Sequence, residues 1–326
     1  MHSDEMGGLF DQLCSTEHLF TAWELFRRGK RSKSDVLVFE RDLERNLFTL
    51  QEDLRSGAYR HRPYHAFTVH DPKARSIHKA TVRDRVVHQA VVSVIEPIFE
   101  RRFIDDSYSC RLGRGTHAAV VRLRTFLGRA SAGDRRTISV LQCDIQQFFA
   151  SVDHRVLLGL LCQRVRDVRM RALLERVVWS FSTVPGKGIP LGNLTSQLFA
   201  NVYLHELDRF VKHGLRERWY LRYCDDFAIV HPDRTHLLAS VPAIESFLRD
   251  ALRLRLHPRK VTVRTWTMGV DFLGYVLLPQ ATVVRTTTKH RMLRALSPGN
   301  ATSYFGICAH ATTYRLQQVM RTKIGW

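Results

Sequence analysis

Three carboxylates carry the strongest chemical signal in this chain. Asp144 ends an apolar run in Leu141-Gln142-Cys143-Asp144-Ile145-Gln146-Gln147-Phe148-Phe149, and Asp225 and Asp226 sit between two short runs in Tyr223-Cys224-Asp225-Asp226-Phe227-Ala228-Ile229-Val230. A hairpin tip with two adjacent carboxylates, beside a strand ending in a third, gathers three negative charges within a few ångströms. Left alone, such charges raise one another's proton affinity. Two divalent cations about 4 Å apart remove that penalty; they can then activate an attacking hydroxyl and stabilise the leaving group of an in-line displacement. All-oxygen donors favour magnesium, with manganese as a substitute. Either motif alone reads more simply as turn chemistry or a helix cap. Their order and settings together point to a metal site.

The elements that must position these acids are legible on either side. Thr137 to Ile145 is a β-branched run, and Trp219–Tyr223 and Phe227–His231 are two short strands around Cys224-Asp225-Asp226. Further strands are expected near Val261–Trp266 and Val270–Leu278, and at Tyr64–His70 with a returning partner at Arg75–His78 across the turn Asp71-Pro72-Lys73. Phe39, Leu43, Leu47, Leu50 and Leu54 recur at spacings of three and four, predicting one helix over 35–57 that Gly57 ends. Val82, Val86, Val87, Ala90, Val91, Val94, Ile95 and Ile98 form the stripe of a second helix starting near Thr81. Helices are also expected near Thr116–Leu127, twice within Asp153–Phe181, from a cap at Asn193 or Thr195 to about His213, and near Arg234–Leu256. A basic helical tail follows. Helices segregated around a small antiparallel sheet make the fold class α+β.

Charge narrows the partners. Fifty Lys and Arg against thirty-one Asp and Glu give a formal +19, a surplus that attracts polyanions, of which nucleic acid is the common one. Asp271 is the last acidic residue, and from Ala281 onward there are seven cations and no acid. That segment reads as a backbone-binding surface with Arg285, Lys289 and Arg291 near its start. The six cysteines form no C-x-x-C pair, which argues against a zinc site or a disulfide framework. No apolar stretch approaches the ~20 residues of a membrane span, and the N-terminus carries no signal core. The expectation is a soluble, cytoplasmic protein with no membrane partner.

With these residues in view, the chain resembles the reverse transcriptases. Tyr223-Cys224-Asp225-Asp226 resembles their Tyr-x-Asp-Asp signature, and Asp144 through Phe149 with Ser151-Val152-Asp153-His154 is similar to the first catalytic motif of bacterial members such as group II intron and retron enzymes. Pro72-Lys73-Ala74-Arg75, Tyr108 to His117, Leu256-His257-Pro258-Arg259-Lys260 and Phe272-Leu273-Gly274-Tyr275 extend the match across roughly residues 60 to 280.

The resemblance implies a right-hand polymerase of fingers, palm and thumb, with an antiparallel palm sheet and a small helical thumb. Its parts would be an N-terminal helical extension (1–58), fingers (59–135), palm (136–280, with part of the fingers near 155–190) and thumb (281–326). It makes Asp144, Asp225, Asp226 and Lys260 catalytic, Lys260 as a proton donor to pyrophosphate, and it adds the Ile145 main chain to the three acids as metal ligands. It assigns Lys73 and Arg75 to the incoming triphosphate, Phe149 to a steric gate against the ribose 2′-OH with Phe148 in the core, and Leu191 and Gln197 to the nucleotide pocket. Arg111, Arg114, Gly192 and Tyr223 would meet template or primer.

The loop Gly188-Ile189-Pro190-Leu191-Gly192-Asn193-Leu194-Thr195-Ser196-Gln197 narrows the resemblance. Most reverse transcriptases carry Gln before that glycine and Pro after the serine. Leu191 and Gln197 are instead similar to the enzymes of diversity-generating retroelements, which copy a template RNA with frequent errors at adenines and write the cDNA into a variable gene. The partners implied are template RNA, cDNA, dNTPs, a structured element RNA and a small basic accessory protein. Retron-like, antiphage-defence and group II intron-derived enzymes stay open beside this reading. An RNA-dependent RNA polymerase is disfavoured by the aromatic ring at Phe149. A non-catalytic RNA-binding or maturase protein is disfavoured by the intact acids, which would repel RNA if unused.

Overall fold

The computed structural model describes residues 8–70 and 74–325. These residues divide into two compact units: one within Met1–Ile104, Gln146–Leu207 and Leu248–Arg255, the other within Asp105–Ile145, Asp208–Phe247 and Leu256–Trp326. Among the described residues no helix is long and apolar enough to cross a membrane.

The first unit is mainly helical. It holds α1 (Leu9–Leu13), α2 (Thr16–Arg27), α3 (Ser34–Arg41), α4 (Leu43–Arg55) and α5 (Val82–Glu100), with a hairpin of β1 (His65–His70) and β2 (Ala74–Lys79). Farther along the chain it adds α7 (Phe148–Ser151), α8 (His154–Cys162), α9 (Val168–Trp179) and most of α10 (Leu194–Arg209). As the apolar stripe predicts, Val86, Val87, Val91 and Ile95 of α5 are buried, whereas Ile98 is only half-buried. Thr81 caps α5 by accepting from the Asp84 amide at 3.3 Å. The single helix expected over 35–57 is two, α3 and α4. Asp42 leaves helical geometry (φ −117°, ψ 41°) and Asn46 Nδ2 donates to the Phe39 carbonyl at 2.9 Å. Phe39 can then stack on the buried Trp23, with ring centroids 5.2 Å apart.

The second unit is built on a four-stranded antiparallel sheet in the order β4-β5-β3-β6, from β3 (Ser139–Asp144), β4 (Trp219–Tyr223), β5 (Asp226–His231) and β6 (Thr262–Thr265). A three-stranded sheet follows, of β7 (Val270–Phe272), β8 (Tyr275–Leu277) and β9 (Thr282–Val284). The one strand expected over 270–278 is therefore a hairpin. Leu273 (φ +49°) and Gly274 (φ +88°) both take left-handed backbone between the paired Phe272 and Tyr275, the geometry of a tight two-residue turn. The remaining helices are α6 (Thr116–Ala130), the first part of α11 (Arg234–Leu252), α12 (Thr286–Ala295), α13 (Ala301–Cys308) and α14 (Tyr314–Ile324). One face of the four-stranded sheet, with Val140, Ala228 and Val230, joins α6 in a core that also takes Met292, Cys308 and Met320. The basic tail thus contributes buried side chains as well as exposed charge.

Candidate active site

Strand register brings the acids together. In the β3–β5 ladder Asp144 stands opposite Asp226, and in the β4–β5 ladder Tyr223 stands opposite Asp226. Directly opposed residues lie about 4.5–5.5 Å apart at Cα, so two carboxylates share one end of the sheet. Cys224 and Asp225 form the two-residue turn between β4 and β5, with Cys224 at φ +55°. The turn is tied to the end of β3, because the Ile145 amide donates to the Asp225 carbonyl at 3.3 Å. The His257 amide donates to the Asp144 carbonyl at 2.8 Å and the Lys260 amide to the His257 carbonyl at 2.9 Å. This turn aims Lys260 at the acids: its Nζ lies 2.5 Å from Asp144 Oδ2.

The electrostatics match that crowding. Burial, then the charges of Asp225 and Asp144, push the Asp226 carboxyl up to about 7, with Lys260 opposing the rise. Burial also raises Asp225, helped by Asp144. Beside these residues lies a cavity of about 290 Å³ whose lining includes Asp144, Asp226, Arg259, Lys260, Arg264 and Arg285. Acids that favour a cation thus border a pocket that also carries Arg259, Lys260, Arg264 and Arg285, the last of them paired with Asp271 in the same lining.

Among the described residues, no three or more His, Cys, Asp and Glu side chains form a ready-made metal cage. The donor chemistry nevertheless fits a hard divalent cation. The three carboxylates repel one another, and Asp144 already accepts from an ammonium group.

The remaining sequence-derived candidates fall in both units. Arg285 lines the cavity and is paired with Asp271. Lys289 and Arg291 lie half-buried on α12. Tyr223 OH accepts from Thr116 Oγ1 at 3.1 Å. Arg114 donates to the carbonyl (2.8 Å) and carboxylate (3.1 Å) of Asp105, and the buried Arg111 donates to the Ser107 carbonyl at 2.8 Å. Arg75, Phe149, Leu191, Gly192 and Gln197 belong to the other, mainly helical unit. There Arg75 and Gln197 are exposed and Phe149 is half-buried, its ring edge-on to the buried Phe148 with centroids 5.3 Å apart. The Leu191 carbonyl accepts from the His78 amide at 3.1 Å. Gly192 adopts φ +100°, and a Cβ there would meet Ile77 Cγ2 at 2.8 Å. Lys73 lies outside the described residues.

Sequence reading missed a cluster just behind the acids. Arg222 and Asp208 are both wholly buried and joined by two bonds of 2.7 Å, and Tyr220 OH donates to Asp208 Oδ1 at 2.6 Å. The available signal was a charged residue inside the apolar strand Trp219-Tyr220-Leu221-Arg222-Tyr223. Nothing in the sequence names its partner.

Comparison with known proteins agrees with this geometry. Residues 69–277 match the family described as reverse transcriptase (RNA-dependent DNA polymerase). Protein YkfC of Escherichia coli (strain K12) is 28% identical over 271 residues, covering 70% of this chain and 70% of that protein. The group II intron-encoded protein LtrA of Lactococcus lactis subsp. cremoris is 28% identical over 178 residues, 52% of this chain. Apo telomerase from Candida tropicalis superposes with a TM-score of 0.53 at 9% identity over 69% of this chain, a likeness of fold alone. The chain spans only 28% of the length of LtrA and 48% of that telomerase.

Proposed function

This chain belongs to the reverse transcriptase (RNA-dependent DNA polymerase) family, and from that premise we propose that it copies a template RNA into cDNA at Asp144, Asp225 and Asp226. The observation that carries this reading is the register that sets Asp144 opposite Asp226, with Asp225 in the adjoining turn. Asp144, Asp225, Asp226 and the Ile145 carbonyl would hold magnesium, or manganese in its place, supplying the positive charge that an in-line phosphoryl displacement needs. Lys260, already hydrogen-bonded to Asp144, holds a proton that it can deliver to the leaving pyrophosphate. The cationic walls formed by Arg259, Arg264 and Arg285 favour phosphate in the adjoining cavity.

In the same reading Phe149 excludes the ribose 2′-OH, Lys73 and Arg75 meet the incoming triphosphate, and Leu191 and Gln197 shape the nucleotide pocket. Arg111 and Arg114 touch template phosphates, while Gly192, Tyr223, Arg285, Lys289 and Arg291 meet template or primer. The functional parts are the extension (1–58), fingers (59–135), palm (136–280, with part of the fingers near 155–190) and thumb (281–326). Leu191 and Gln197 support a mutagenic role in a diversity-generating retroelement, with a structured element RNA and a small basic accessory protein as partners. The likeness to LtrA favours a second reading, an enzyme derived from a group II intron protein.

The test is primer extension on an RNA template with dNTPs and magnesium, followed by sequencing of the cDNA. Extension with errors concentrated opposite adenines is expected. Accurate copying at adenines would remove the retroelement role and leave the polymerase standing; no extension at all would remove both.

A further inference from the structure

We propose that Arg222 and Asp208 are positioning residues that hold the Cys224-Asp225 turn in the conformation its acids need. This rests on the assignment of Asp225 and Asp226 to the active site. The Arg222 guanidinium is used on three sides. Nε and Nη2 grip the two carboxylate oxygens of Asp208, Nη2 also donates to Ser107 Oγ at 3.0 Å, and Nη1 donates to the Cys224 carbonyl at 3.0 Å. That carbonyl belongs to the turn itself.

The turn needs such a hold. A two-residue hairpin loop with positive φ at its first position is ordinarily given to glycine, and here Cys224 takes φ +55° with a Cβ attached. Residues kept in such conformations persist where their surroundings over-determine them. Arg222, Asp208 and Ser107 in these surroundings are wholly buried. The Arg222 amide donates to the Asp106 carbonyl at 2.9 Å and the Tyr108 amide to the Arg222 carbonyl at 3.0 Å, so a neighbouring segment clamps the strand from its outer edge. Asp106 is in turn held by Arg122 Nε at 2.7 Å and Lys212 Nζ at 3.1 Å.

Stability alone is a poor reason for the pair. A buried ion pair is often matched or surpassed by apolar residues of similar volume. What apolar residues lack is the third donor directed at the Cys224 carbonyl. Lysine lacks it too, because a single ammonium has no planar fork to grip both Asp208 oxygens while reaching the turn.

The experiment replaces the whole polar cluster at once, as Tyr220→Phe/Arg222→Met/Asp208→Leu in the full-length protein. Melting temperature, RNA affinity, the kcat and KM of primer extension, and Mn²⁺ affinity without substrate are then measured per folded molecule. The expected variant folds and binds RNA as before. Its kcat falls about 100-fold, the scale of an ångström-sized misplacement, with KM little changed and Mn²⁺ binding weakened. A folded variant with wild-type kcat and Mn²⁺ affinity would overturn the proposal. Should the triple variant not fold, Arg222→Lys decides: a lowered kcat supports the positioning role, and full kcat overturns it. Wild type and Asp225→Asn run beside them. An inactive wild type would sink the polymerase assignment, whereas an active wild type with an equally active triple variant would sink this inference alone.

Discussion

Two clusters of charge lie within a few residues of each other along β4 and its turn, and the protein treats them in opposite ways. At Arg222 and Asp208 every formal charge is answered by another, both side chains are wholly buried, and the fork geometry is complete. At Asp144, Asp225 and Asp226 three acids face one ammonium, and burial, together with that imbalance, lifts the Asp226 carboxyl to about 7. A protein that closes one cluster fully and leaves the other unbalanced marks the second for something it does not itself supply. On the proposed reading, the first cluster shapes the fold and the second is reserved for a ligand.

Deleting one charge from each cluster should therefore have opposite consequences for stability. Arg222→Ala strands a buried carboxylate and should cost ~3–5 kcal/mol, read from urea denaturation followed by circular dichroism. A loss below ~1 kcal/mol would mean that Asp208 finds another partner or water, and the contrast would weaken.

Lys260 donates a hydrogen bond to the unbalanced acids through Asp144. Lys260→Ala should lower kcat about 100-fold, within the usual range for a lost general acid. Single-turnover extension measures it, and an unchanged rate would make the lysine a bystander.

Asp226→Asn should instead stabilise the metal-free protein. The folded pKa of Asp226, about 7, lies above an unfolded value of about 3.9. Between those values the folded state keeps a proton that the unfolded chain has released. The group's contribution to stability is thus complete below about pH 4 and is lost as pH rises to about 7. In EDTA the variant should melt a few degrees above wild type at pH 8 and about equal to it at pH 4. Magnesium should narrow the gap at pH 8 by stabilising the wild type. A gap independent of pH would deny the repulsion among the acids.

The smallest effect expected is in the mainly helical unit, at Leu191. Leu191→Gln introduces one possible hydrogen bond of ~1 kcal/mol, a change of several-fold in selectivity. Misincorporation opposite adenine should fall modestly while extension continues, as counted by cDNA sequencing. Equal error spectra would shift the source of infidelity away from this loop.

Much of this contrast was legible in the sequence, though unevenly. The acids announced themselves because β-branched runs fix strands and strands fix which carboxylates align. The start of α5 near Thr81 and its apolar stripe were readable because their signals are local. The break at Asp42 was not, since it is favoured by Phe39 stacking on Trp23, a contact between helices. The β7–β8 turn was hidden because Leu273 takes a backbone conformation that its residue type rarely adopts. Arg222 was visible as an oddity in a strand, but Asp208 lies on a helix fourteen positions earlier, and only the fold pairs them. The acid-free tail was read as surface, yet Met292, Cys308 and Met320 anchor it in the core.

The most direct measurement is a gel-shift titration on template RNA beside a primer-extension assay, for wild type and Asp225→Asn. The substitution removes a charge from the unbalanced cluster and leaves the basic surface untouched. Extension should vanish while RNA affinity stays within about two-fold of wild type, since that affinity comes from phosphate contacts elsewhere. Parallel loss of binding and extension, or extension that survives the substitution, would contradict the assignment of these acids to catalysis.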